Sequence, residues 1–115
     1  MSMEERIEQL EFQIELLFNN TELDRLMFEY KITRTQYQNI MDLMESLENK
    51  LSNGEEISAP IYEANVYEIV PQINRDYHFC ELMALDFAKN GRWKDVFIEL
   101  YGNELKFKSI VEEMR

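Results

Sequence analysis

Two runs in this chain set large apolar residues at alternating spacings of four and three. In the first, Met3, Ile7, Leu10, Ile14 and Leu17 fall in step. In the second, Tyr37, Ile40, Met44, Leu47 and Leu51 do the same, and Met41 and Leu43 widen the band. An α-helix turns about 100° per residue, so this alternation lines side chains along one narrow stripe of a rod. A strand needs alternation at every second residue, which no segment sustains. A chain built on two such rods must bury their stripes by packing helix on helix. The expectation is an all-α bundle of five or six helices, two of them long and amphipathic.

The chain-breaking residues divide the rest. There are only three glycines and two prolines. Gly54, Gly91 and Gly102 each follow an apolar-periodic segment, where a left-handed helix stop favours a residue without Cβ. Pro60 stands where a helix can begin and Pro71 where one should have ended. "SMEE" reads as a capping box of Ser2 and Glu5, and "TRTQ" as another of Thr33 and Gln36. Thr21 caps a short helix over residues 22–30, through Leu23, Leu26, Met27 and Tyr30. A fourth helix is predicted over 60–70 with Ile61, Val66 and Ile69 inward. "PQINRD" reads as a loop. A fifth starts at Asp76 and buries Phe79, Leu82, Met83 and Phe87. A sixth, "RWKDVFIELYG", turns Trp93, Val96, Phe97 and Leu100 to one side. This gives one domain: a long-helix half over 1–53, a shorter-helix half over 58–102, and a weak helix or loose tail over 103–115.

Composition removes several classes of function. Apolar residues make up 45% and charged residues 30%, as in folded soluble domains. No apolar run reaches the length of a membrane span, and "MSMEERIEQLEF" lacks the basic start and apolar run of a signal peptide. A single cysteine forbids an internal disulfide and suits a reducing compartment, so a cytoplasmic location is expected. The net charge is −11, running from −6 over residues 1–30 to 0 over residues 92–115. Such a chain is repelled by nucleic-acid phosphates and anionic lipid, so neither is favoured as a partner.

Candidate chemistry is sparse. Residues 22–45 have the outline of a helix-turn-helix, with Arg34, Gln36, Gln38 and Asn39 early on the second helix, where base edges are read. Against DNA contact by Arg34, Gln36 and Asn39 stand Lys31 in the turn, bulky Met27 at the crossing point, and Asp42, Glu45 and Glu48 further along. His78 and Cys80, two residues apart, point about 200° from one another on a helix and cannot share a metal. Arg75 occupies the position three before His78, so the Glu-x-x-His of a di-iron bundle is missing. An enzyme built on Asp76, His78 and Glu81 is the least favoured reading. His78 and Glu81 look like a surface pair, and Cys80 like a small core residue. No catalysis, cofactor or metal is expected.

Association is expected. Glu4, Glu8, Glu11 and Glu15 include two like-charged i,i+4 pairs, which weaken an isolated helix. The charge gradient suggests that these acids meet Arg92, Lys94, Lys106 or Lys108. One stripe could cover the other within a single chain, but Phe12 and Leu16, Met41 and Leu43, and the later helices also need cover, more than one chain of this size provides. An interface is therefore expected on Ile7, Leu10, Ile14 and Leu17 of the first rod, or Tyr37, Ile40, Met44, Leu47 and Leu51 of the second. The partner is a second or third copy, as homodimer or homotrimer, or another protein. The role that follows is a self-associating interaction or scaffolding module, with a small DNA-binding regulator as the alternative.

"VYEIVP" at 66–71, "DYHF" at 76–79, "GRW" at 91–93 and "LYG" at 100–102 resemble the YhaI-like family of small helical proteins from Gram-positive spore-formers. "ERIEQLEFQIELL" at 5–17 extends the resemblance more weakly over most of the chain. What it implies is an all-helical homo-oligomer. It attaches no activity and no functional residues.

Overall fold

A computed structural model describes residues 2–115. Every regular element in it is helical: α1 (Met3–Asn19), α2 (Glu22–Glu29), α3 (Arg34–Ser52), α4 (Ala59–Ile69), α5 (Tyr77–Lys89), α6 (Lys94–Tyr101) and α7 (Lys108–Met114). Two 3-10 turns, Pro71–Ile73 and Leu105–Phe107, join α4 to α5 and α6 to α7. The count is seven α-helices where the sequence reads as five or six. The addition is α7, too short for its periodicity to register. It is no loose tail: Val111 is buried, and the Phe107 ring lies 5.3 Å from Phe97 and 5.9 Å from Tyr101. No helix among the described residues is long and apolar enough to cross a membrane.

Capping explains where the first three helices begin. Ser2 Oγ accepts the Glu5 N–H, but the Glu5 carboxylate accepts the Ser2 hydroxyl rather than its N–H, so the expected box is only half made, whereas Thr33 and Gln36 form a reciprocal box. Thr21 does the same with Asp24, whose carboxylate accepts the Thr21 N–H at 3.2 Å. Each box satisfies N–H groups that the first helical turn leaves free. Helix ends follow equally local chemistry. Asn20 closes α1 at φ 48, and Gly54 and Gly91 take φ 77 and φ 80 after α3 and α5. Gly102 departs from the expected left-handed stop. It stays right-handed at φ −63, and its missing Cβ leaves room for the Ile98 carbonyl.

The core forms around α5, on which Phe79, Cys80, Met83, Ala84, Phe87 and Ala88 are buried. The helix touches α2, α4 and α6. From α3 come Ile40, Met44 and Leu47, and from the connection before it Ile32, fully buried. In α4 the buried residues are Tyr62 and Val66, while Ile61 faces solvent. Of the expected inward set, Val66 is buried and Ile69 packs half-buried against the core, while Ile61 is turned out and Tyr62 points inward in its place. Tyr62 can sit at the centre because its hydroxyl donates to the Cys80 carbonyl at 2.9 Å. Trp93, a large residue at φ 53, is held there by Phe87 (4.9 Å, edge to face), by the Arg92 guanidinium (4.2 Å) and by a hydrogen bond to Glu45.

Candidate protein-interaction face

On α1 the sequence places two apolar sets, and the fold uses only one of them. Phe12 and Leu16 are buried against α2 and α3. Ile14 and Leu10 each lie about 160° around the helix from Phe12, at 100° per residue. Their stripe faces outward: Met3 is 71% exposed, Ile7 47%, Leu10 58%, Ile14 64% and Leu17 52%. Phe18, beside Leu17, is 89% exposed. Single exposed leucines are ordinary, but six large apolar residues exposed along one helix make a candidate contact surface.

The stripe on α3 has the opposite fate. Ile40, Met44 and Leu47 are buried in the chain's own core, and Tyr37 and Leu51 are half-buried beside it. Tyr37 bridges elements, its ring 6.0 Å from both Phe12 and Phe87. The two expected seams therefore do not meet each other. Phe18, the most exposed side chain of the patch, stood outside the four-three pattern and was not picked out by it.

Arg34 and Gln36, near the start of α3, are occupied. Arg34 donates to Glu15 at 2.9 Å and lies 5.0 Å from the centre of the Phe12 ring. Gln36 donates to the Ile69 carbonyl at 3.2 Å and exchanges amide hydrogen bonds with Gln72 at 3.0 and 2.7 Å. Asn39 is exposed, as is Gln38, which donates to Asp42. The hollow beside Arg34 is lined by Glu5, Glu8, Gln9, Thr33 and Thr35, so its charged neighbours are acidic.

The expected ion pairing of α1 also falls differently. The base that reaches its acids is Arg34, not Arg92, Lys94, Lys106 or Lys108. Arg92 lies over Trp93, and Lys106 Nζ meets Glu81 at 2.6 Å.

The Asp76, His78 and Glu81 group is likewise committed. Asp76 Oδ1 accepts the His78 N–H at 3.0 Å and Oδ2 accepts the Tyr30 hydroxyl at 2.6 Å. The bond to Asp76 pushes the Tyr30 pKa up to about 12. His78 lies 3.6 Å from Glu22 and 4.0 Å from Glu81. Glu81 is no surface residue, however: it is only 4% exposed. Burial pushes the Cys80 thiol up to about 12, which keeps it protonated and a poor nucleophile at neutral pH.

No protein-family model, curated protein or solved structure matches this chain.

Proposed function

We propose that this chain is a self-associating interaction module without catalysis, and that the outward face of α1 is its contact surface. The observation that carries the reading is the division of α1 into a buried pair, Phe12 and Leu16, and an exposed line from Met3 to Phe18. Association would remove that line from water, worth about 25 cal/mol per Å² of apolar surface covered. The YhaI-like resemblance agrees with an assembling helical protein and adds no activity.

The helix-turn-helix reading of residues 22–45 has the committed partners of Arg34 and Gln36 and the net charge of −11 against it. The test of the proposed function is the variant Ile7→Glu/Ile14→Glu. It should keep the helical circular-dichroism spectrum and run as a monomer in light scattering, while the unaltered chain runs as an assembly. An unaltered chain and variant of equal mass would refute it.

A further inference from the structure

We propose that the occupant of the α1 face is a second copy of this chain, its α1 lying parallel and in register. Ile7 and Ile14 then pack against their own counterparts, and Arg6 of each copy faces Glu11 of the other. The inference rests on the reading of α1 as a self-association face and adds orientation and register to it.

The stripe is two columns. Met3, Leu10 and Leu17 form one, and the β-branched Ile7 and Ile14 form the other. β-Branched residues in the second column with leucine in the first are what parallel two-stranded packing favours. The flanks then decide direction. Glu4, Glu11 and Phe18 border the stripe on one side, and Arg6, Gln13 and Asn20 on the other. In a parallel pair, each residue just before an isoleucine faces the residue five further along the second copy. Arg6 thus meets Glu11 twice by symmetry, and Gln13 meets Phe18.

An antiparallel pair has two registers that keep isoleucine against the leucine column. One sets Glu4 against Glu11 twice, with Arg6 opposite Gln13. The other sets Glu11 against Glu11, with Arg6 opposite Asn20. Both juxtapose like charges and leave the single base of α1 facing an amide. Arg6 and Glu11 are exposed, and neither forms an ion pair with another described residue. The paired surface is about 25 Å long, from 1.5 Å per residue over the 17 residues of α1. A contact of this length and one helix wide buries on the order of 1,000 Å², near the lower bound for a stable interface. The association is accordingly reversible and concentration-dependent.

Two single-cysteine variants, Met3→Cys and Leu17→Cys, test the orientation under mild oxidation. Buried Cys80 stays out of the exchange. In the parallel pair each new thiol lies against its own counterpart, so each variant alone should link covalently into a two-chain species. In either antiparallel register, identical thiols are displaced by at least about 15 Å along the axis, beyond the roughly 7 Å limit for a disulfide.

Charge reversal supplies a second readout. Glu11→Arg should weaken association about fivefold, for two exposed ion pairs turned repulsive, and Arg6→Glu added to it should restore the affinity. If the unaltered chain is a dimer, yet neither cysteine variant links alone and either Ile7→Cys mixed with Leu17→Cys or Met3→Cys mixed with Ile14→Cys does, the orientation is overturned while self-association stands. A three-copy mass with both variants linking keeps the parallel direction and overturns the two-fold pairing. An unaltered chain that stays monomeric overturns both.

Discussion

Lys106 Nζ lies 2.6 Å from one carboxylate oxygen of Glu81, and the other oxygen finds no hydrogen-bond partner among the described residues. Lys106 itself is half exposed, so the partner that matters is the buried one. Removing the base leaves a desolvated carboxylate with no hydrogen-bond partner and only the His78 ring, 4.0 Å away, beside it. Lys106→Met should cost about 1–3 kcal/mol, the range for an unsatisfied buried acceptor. Adding Glu81→Leu should recover most of that loss, a non-additivity that a double-mutant cycle in urea would measure. Equal, additive losses would show that the pair is not coupled. Two glycines give a sharper contrast. Gly54→Ala meets open space but must hold φ 77, costing about 1 kcal/mol. Gly102→Ala drives a Cβ into the Ile98 carbonyl oxygen and should cost more. The sequence marked both positions as helix stops. It could not reveal that one is required for backbone sign and the other for close approach, because that depends on where Ile98 sits.

At the scale of elements, α1 and α3 were legible because a capping box and a four-three stripe agree with each other. What the stripe could not tell was which rod keeps its seam for the chain itself. Both patterns look alike as sequence, and the choice was made by Phe12 and Leu16, two residues that carry α1 onto α2 and α3. α4 was readable as a helix with Val66 and Ile69 on its inner side, but not in its choice of Tyr62 over Ile61 at the start. The buried Tyr62 hydroxyl is satisfied by a carbonyl eighteen residues away, and no local pattern encodes that partner. The burial of Glu81 escaped for the same reason, since Lys106 comes from the far end of the chain. The two faces of α1 make an element-level prediction. Phe12→Ala should destabilise the fold by about 3 kcal/mol in chemical denaturation. Ile14→Ser should shift the stability of the isolated chain by no more than about 0.5 kcal/mol, as a surface change, while weakening association. The reverse ranking would mean that the inward and outward faces have been exchanged.

The whole molecule measures 44 × 26 × 24 Å, with a radius of gyration of 14.8 Å. That exceeds the roughly 13 Å expected for a compact chain of this length, so the fold is elongated. Its tyrosine hydroxyls and its thiol make it alkali-sensitive. Hydrogen bonding to Asp76 raises Tyr30, and burial raises Tyr62, Tyr67, Tyr101 and Cys80. The bond to Glu81 raises Lys106. Each group keeps its proton in the folded state at pH values where the unfolded chain releases it. Their stabilisation is therefore complete below the ordinary thiol value of 9.0 and is lost as pH climbs through the raised values. The melting temperature should fall progressively above about pH 9, and a flat profile to pH 11 would contradict the burial of Tyr62 and Cys80. Net charge adds a second expectation. Two chains of −11 each repel one another, and salt screens that repulsion over a Debye length of about 10 Å at 0.1 M. Sedimentation equilibrium of the unaltered chain, from low to high micromolar loading, tests the outward face of α1 most directly. The mass should rise from 13.9 kDa to twice that value, more readily as salt is added. A mass fixed at one chain throughout would mean that the exposed line from Met3 to Phe18 has no second copy to meet.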